Sequence, residues 1–482
     1  MERKTKKFRL IEAILSLICV VFVVEAAAPA AAIGNTQYFW WIFLIIAFLL
    51  PYGMVVSELG TTYEDEGGLY DWVKRAFGNK WGSRVAFYYW VNFPLWMAAL
   101  GVMFPTFINI VFGVELGFVT STVIALAFIW LCTLASFSRG SDAKWILNLA
   151  AIIKALVALS LFGIGIWFVT QNGFANQATS VRDYFPDLTD LQSLTFLSII
   201  LFNFMGFEVL AAFTKDMRNP RREIPKAIVF GGLAIAVIYL MSAFGIGAAV
   251  PVGELSLDSG IVDALLIMLS NGSILIPIIA VAVLLTFFGN IISWSYGINY
   301  VTSYAAKDGN MPRVFAIESK KTGMPIGASL TNAVVASILV IIIPLFESFV
   351  ADGGYFWVFF AVSIVFLLIA YIPMFPAFLK LRRTDAEAPR PFSVPGKKVM
   401  LRITAIVPAV LLVLGIIASV VPLPSPYFDA DDWAGELEYK IPMLVAFIGI
   451  LIVCEITRVI VSRRTKSDDG AVVAEVEAEV SA

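Results

Sequence analysis

Three charged residues stand where an apolar chain leaves little room for them. Glu25 lies in Val23-Val24-Glu25-Ala26-Ala27-Ala28-Pro29, inside the first long hydrophobic run. Glu208 closes Phe202-Asn203-Phe204-Met205-Gly206-Phe207-Glu208 in the sixth run, and Lys154 is the only charge within the fifth. Ionisable residues within apolar spans are costly, and they mark functional sites. Glu25 could pair with an ammonium group or take up a proton. It could also be a protonated acid bonded to a neighbouring span. Glu208 could carry or tune a proton, or it could bond backbone freed near Gly206. A buried carboxylate of raised pKa can do both. Lys154 could have a functional role as the only charge in its span, or snorkel to the membrane surface ten residues beyond Lys144.

The surroundings of these residues suggest a ligand site. Gly206 marks a point where a helix can open and offer free backbone groups, and the stretch Val24-Glu25-Ala26-Ala27 precedes Pro29 in the same way. Phe202, Phe204 and Trp294 are aromatic neighbours able to hold a cation, although in a chain that is 14% aromatic such residues also pack core or face lipid. Asn203, Met205, Ser293 and Ser295 complete the local set. The neutral polar groups among them could serve a ligand or their own helix backbone.

The elements that must position these residues are membrane spans. The chain has 482 residues, of which 60% are hydrophobic and 15% charged. A soluble chain carries about 25% charged residues. The fold expected is therefore an all-α polytopic membrane protein. Apolar runs of span length lie at about 11–33, 38–62, 83–112, 117–137, 144–170, 191–213, 226–250, 272–304, 326–350, 354–380, 400–423 and 440–461, twelve transmembrane helices in all. The basic residues preceding the first run resemble a signal peptide's start, but the run's length and the spans that follow favour an uncleaved helix. With the N-terminus inside, 31 of 34 Lys and Arg fall in cytoplasmic segments. Only Arg182 and Lys440 lie outside, and Lys154 lies within a span. This charge bias places both termini in the cytoplasm. The tail 467–482 reads as disordered.

Composition excludes several classes. There is no histidine, and the three cysteines lie apart in apolar runs, so neither a metal site nor a cofactor is expected. No metalloprotease, nucleophile-elbow or phosphate-loop motif is present, which argues against an enzyme. No filter-like repeat suggests a channel, although a channel or a membrane-embedded sensor remains the rival of another class. Nucleic acid is not an expected partner. The expected partners are a small molecule and the lipid bilayer, and self-association stays open. Spans one and six, five apart, each carry an acid and a helix-breaking feature. That pattern points to an inverted-repeat transporter with its site between them.

Four stretches carry a family resemblance. They are Ser57-Glu58-Leu59-Gly60 running into Glu66-Gly67-Gly68-Leu69-Tyr70-Asp71-Trp72-Val73; Gly206-Phe207-Glu208 followed by Arg218-Asn219-Pro220-Arg221-Arg222-Glu223-Ile224-Pro225; Ala306-Lys307-Asp308-Gly309-Asn310-Met311-Pro312; and Arg390-Pro391-Phe392-Ser393-Val394-Pro395-Gly396. With these the chain resembles the amino acid–polyamine–organocation permeases, and among them the bacterial glutamate/GABA-antiporter-like branch. The resemblance implies a five-plus-five inverted repeat with helices one and six unwound at mid-membrane. Helices 1–5 would occupy 11–170 and helices 6–10 would occupy 191–380. Two further helices would lie at 400–461, after a basic cytoplasmic segment at 1–10.

The resemblance also implies a secondary transporter of the bacterial cytoplasmic membrane. It would move an amino acid or related amine by alternating access, as exchanger or proton-coupled symporter; a glutamate/GABA antiporter for acid resistance is the alternative. Substrate would bind at Val24, Glu25, Ala26, Ala27, Phe202, Asn203, Met205, Gly206 and Trp294, with Phe202 as an aromatic gate. Glu208, Lys154 and Glu25 would couple protons, Lys154 standing where related transporters bind sodium. The family's glycine-rich break in helix one is absent here. Two acids and no arginine within a span favour neutral amino acids and amines over glutamate.

Overall fold

A computed structural model describes residues 9–481 except 66, 139, 195, 213–216, 218, 253, 255–259, 270–271, 343–354 and 425–428. Its described residues form helices and connections, with no strand among them. The first segment is split into α1 (Leu10–Val21) and α2 (Ala27–Ala31), and the second into α3 (Thr36–Leu44) and α4 (Leu50–Thr62). Then follow α5 (Gly68–Phe77), α6 (Asn79–Phe112), α7 (Phe118–Ala135) and α8 (Gly140–Asn172). A further split segment comprises α9 (Leu197–Phe202) and α10 (Val209–Ala212), followed by α11 (Pro220–Ala249), α12 (Gly260–Met268) and α13 (Leu275–Lys307). The remainder is α14 (Ile326–Ile342), α15 (Tyr355–Tyr371), α16 (Met374–Thr384), α17 (Lys398–Val420) and α18 (Ala430–Ser481).

Among the described residues, nine helical stretches are long and apolar enough to cross a bilayer. The segments 10–31, 197–212 and 326–342 are shorter or interrupted, and this is where a count by length departs from twelve. Hydropathy alone merges broken segments with their neighbours and overlooks α5 and α12, which are short. The tail expected to be irregular continues α18 to Ser481; its alanines and glutamates are good helix formers.

Each interruption has a local cause. Helix α1 ends in Val20-Val21-Phe22-Val23-Val24, a run rich in β-branched residues, whose side chains crowd a helical turn. Phe22 and Val23 are extended, and one 3₁₀ turn, Val24–Ala26, leads into α2. Pro29 lies in the first turn of α2, where its missing N–H costs nothing. Between α3 and α4 the helix widens to a π turn at Ile45–Leu49, just before Pro51, whose ring breaks regular bonding. At the sixth segment, Gly206 has φ +116°, which L side chains rarely adopt, and an added Cβ would lie 2.9 Å from Val20. The glycine thus both opens helix six and lets it approach the end of α1.

Two long helices frame the breaks. Helix α8 carries Lys154 and α11 carries Tyr239. They pack closely because Gly165 and Gly245 meet backbone to backbone, each Cβ position lying 2.4 Å from a carbonyl oxygen of the other helix. Small residues at such a crossing are how membrane helices approach without a hydrophobic driving force. Helices α6, α13 and α15 close the other side of the core.

Candidate functional site

Ending a helix leaves its last carbonyls without intrahelical donors, and at the end of α1 this happens in the protein interior. Lys154 Nζ donates to the Cys19 carbonyl at 2.6 Å and to that of Phe22. Trp294 Nε1 donates to Val20 O at 2.9 Å, and Asn290 Nδ2 reaches Val20 O at 3.3 Å and Cys19 O at 3.4 Å. Tyr239 Oη donates to Val21 O at 3.0 Å, and the Ala26 amide donates to Val23 O at 3.2 Å. Every carbonyl from Cys19 to Val23 therefore has a donor within reach, and the Lys154 ammonium sits at the negative end of α1. Lys154 is 1% exposed. The snorkelling alternative is accordingly not what the fold adopts.

The sixth segment exposes donors instead. The Gly206 and Phe207 amides both point to Tyr52 Oη, at 3.2 and 3.1 Å. Tyr52 Oη in turn donates to Glu208 Oε2 at 2.7 Å, and Tyr89 donates to Oε1 at 2.6 Å. The Tyr371 ring packs against both tyrosines, with centroids 5.7 Å from Tyr52 and 6.3 Å from Tyr89. Its buried hydroxyl belongs to the same cluster around Glu208. Glu208 is thus held by phenols rather than by a cation, and Tyr52 ties it to the opened backbone.

The two breaks touch. Asn203 Nδ2 donates to Ala26 O at 3.2 Å, so the opened part of helix six is bonded to the turn in helix one. Phe202, Trp96 and Phe360 form a triangle of rings with centroids 5.2 to 5.7 Å apart. Trp96 Nε1 is anchored to Asn290 Oδ1 at 2.7 Å. Phe204 turns the other way, edge-on to Trp41 at 5.4 Å.

The sequence-derived residues separate clearly on this geometry. Val24, Ala26, Ala27, Asn203, Met205 and Gly206 line the two breaks, with Phe202 and Trp294 beside them, and all eight are buried. The breaks are closed to solvent in this conformation. Glu25 contributes its backbone to the 3₁₀ turn of the first break; its side chain lies outside the described residues. Ser293 and Ser295 donate to carbonyls of their own helix, Asn290 O at 2.9 Å and Ile292 O at 2.7 Å. That leaves them the backbone role.

Sequence reading missed Tyr52, Tyr89, Tyr239, Tyr371, Trp96, Asn290 and Phe360. A signal was available for the tyrosines. Tyrosine favours the two membrane interfaces, so one in the middle of a span needs a partner for its hydroxyl.

The motif loops meet at one end of the bundle. Glu58, 1% exposed, accepts from Arg382 Nε at 2.7 Å and from the Val394 amide at 2.7 Å, with Arg390 Nε at 3.3 Å. Tyr70 and Lys74 both donate to Asp308, at 2.9 and 2.5 Å, and Asn310 Nδ2 donates to Tyr70 Oη at 2.7 Å. Burial, with the Asp308 charge nearby, pushes the Tyr70 hydroxyl well above its ordinary value, so it stays a donor. Glu64 pairs with Arg221, and Asp65 with Arg75. Glu66, Lys215 and Arg218 lie outside the described residues.

Comparison with known proteins places this geometry. A family model described as amino acid permease matches residues 8–453. A probable agmatine/putrescine antiporter of Lactococcus lactis subsp. lactis (strain IL1403) is 46% identical over 469 residues, covering 97% of this chain and 99% of that protein. A glutamate/gamma-aminobutyrate antiporter of the same strain is 22% identical over 425 residues, covering 84% and 80%. Two solved structures share the fold. MhsT in complex with L-phenylalanine has a TM-score of 0.58 at 15% identity, covering 86% of this chain and 100% of that one. A manganese transporter of Eremococcus coleocola has a TM-score of 0.56 at 15% identity, covering 94% and 95%. Matched along nearly its whole length by the family model and by a relative of 46% identity, the chain is a membrane transporter, not an enzyme, and belongs to the amino acid permease family of the amino acid–polyamine–organocation superfamily.

Proposed function

We propose that the chain exchanges a cationic amine or an amino acid for a related one across the bacterial cytoplasmic membrane, by alternating access. In this reading twelve spans form two five-span inverted halves, over 11–170 and 191–380, plus two helices at 400–461, with both termini in the cytoplasm. The observation that carries the substrate class is the 46% identity, along almost the whole chain, with a probable agmatine/putrescine antiporter.

The chemistry of the breaks supports it. Among the described residues, Lys154 is the lysine or arginine at the two breaks, and its ammonium is committed to carbonyls. A ligand's second carboxylate would find no counter-charge there. A ligand ammonium would find aromatic faces in Phe202, Trp96 and Phe360, and Glu25, whose backbone forms the turn of the first break, is the acid proposed to pair with it. Val24, Ala26, Ala27, Asn203, Met205, Gly206 and Trp294 complete the substrate set. This disfavours the glutamate/GABA alternative. Lys154 stands in for a bound cation at the end of α1, so transport needs no sodium. Glu208, bonded by two tyrosines, is the group whose proton follows the state of helix six.

Counterflow in proteoliposomes tests the proposal. Vesicles preloaded with agmatine, putrescine, a neutral amino acid or glutamate are offered labelled agmatine or putrescine, with and without sodium. Amine uptake that requires an amine inside is the expected result, and Glu25→Gln lowers it while sparing neutral amino acids. Uptake driven by glutamate but not by amines would overturn the substrate class, and uptake without any internal partner would overturn exchange.

A further inference from the structure

We infer that Tyr239 is a positioning residue that couples the break in helix one to the break in helix six. Its hydroxyl lies between them. It accepts from the Val23 amide at 2.8 Å. It lies 3.0 Å from Val21 O and 3.2 Å from Asn203 Oδ1, both as donor. A hydroxyl has one proton, so it serves one of these acceptors at a time. Val21 O belongs to the end of α1, and Asn203 to the opened stretch of helix six. Asn203 in turn bonds Ala26 O beyond the first break. The four residues form a closed circuit across both interruptions, Val23 to Tyr239 to Asn203 to Ala26 and back through the Ala26 amide to Val23 O.

The ring is fixed independently of the hydroxyl. It stacks on Trp41 at 5.0 Å and meets the edge of Phe22 at 4.7 Å. Tyr239 is fully buried, and the close crossing of α11 with α8 at Gly165 and Gly245 holds its helix in place. The hydroxyl is therefore a pivot on a rigid mount. When helix six shifts around a ligand, the proton moves from one acceptor to the other, and the end of α1 loses or regains a bond in response. Helix one cannot change its break without helix six registering it. In an exchanger, that linkage is what prevents the empty carrier from crossing. No part of the circuit depends on which substrate is carried, so the inference does not rest on the amine reading; only the leak measurement rests on exchange.

The test is Tyr239→Phe, which keeps the ring and removes the pivot. It is read on proteoliposomes with the substrate that the wild type exchanges best. Maximum exchange should fall about tenfold while KM stays within about twofold, as expected for losing one hydrogen bond that matters in the moving state. Preloaded vesicles should also leak substrate with no partner outside, several-fold faster than wild type. Tyr239→Phe combined with Asn203→Ala should leak no faster than the single variant, because both break one circuit. Phe22→Leu, which loosens the ring and leaves the hydroxyl, serves as the packing control and should stay coupled. Wild-type coupling and rate in Tyr239→Phe would overturn the inference. So would a raised KM with unchanged rate, which would make Tyr239 a substrate ligand. Failure of Tyr239→Phe to fold while Phe22→Leu folds would also overturn it, by assigning the hydroxyl to stability alone.

Discussion

The two breaks solve opposite problems. The first leaves a row of carbonyls at the end of a twelve-residue helix, and the chain answers with donors drawn from three other helices: Lys154, Trp294 with Asn290, and Tyr239. The second frees amides at Gly206 and Phe207, and the chain answers with one phenol oxygen backed by a carboxylate. A lysine sits at the carbonyl-rich break and a glutamate at the amide-rich one. Each is buried, and each bonds to the freed backbone or to the side chain that answers it. The first break spreads its load over several donors, whereas the second concentrates it on Tyr52.

That difference predicts an order of effects. Lys154→Met should do the most damage. It removes the donor of Phe22 O and the shorter of the two bonds to Cys19 O, at about 1–3 kcal/mol for a buried group left unpaired. Exchange should fall by about 100-fold or more, with a lower thermal midpoint in detergent. Tyr52→Phe comes next. It leaves two amides without their acceptor, but Tyr89 still holds Glu208, so a loss of about tenfold is expected. If Tyr52→Phe proved worse than Lys154→Met, the second break would be the one on which transport depends, and the comparison would invert. Trp294→Phe should cost only about threefold, since Asn290 still reaches Val20 O. A loss as large as that of Tyr52→Phe would show that the donors at the first break are not redundant.

The smallest effect should lie far from both breaks. Asp183, on the connection before helix six, accepts from the Ser180 and Thr179 backbone and hydroxyl groups, which hold its carboxyl below the usual range. A depressed carboxylate contributes above its unfolded pKa, about 3.9, and that contribution is lost as pH falls through the lower folded value. Asp183→Asn should therefore leave exchange unchanged from pH 5 to 8. It should lower the protection of residues 179–184 at neutral pH, followed by hydrogen exchange, and the difference from wild type should vanish as pH falls below the folded pKa of Asp183. A change in transport at neutral pH would mean that this connection reports to the breaks.

Much of this was legible in residue order. Long apolar runs require helices because hydrocarbon offers backbone groups no other partners. Gly206 announced the second break, and the charges Glu25, Lys154 and Glu208 announced where to look, since charge in a span must be accommodated. The first break was readable at Val23–Pro29 even without a glycine. The sequence also identified the motif loops, but not that Glu58 would be locked by Arg382 and Arg390, more than 300 residues away.

Which atoms meet is another matter. Ser293 and Ser295 are polar and lie near the site, yet they bond their own helix, because a hydroxyl can always fold back to the preceding turn. Tyr239 lies in an ordinary apolar run; its mid-span position says that its hydroxyl needs a partner, but not which one. Its place between the breaks follows from where α11 crosses α8, at Gly165 and Gly245. Residue order by itself determined that this chain crosses membranes, opens two helices and buries charge beside them. The tertiary structure decided which side chain answers each freed backbone group. Hydrogen bonds act over about 3 Å, and only packing brings residues from distant helices that close.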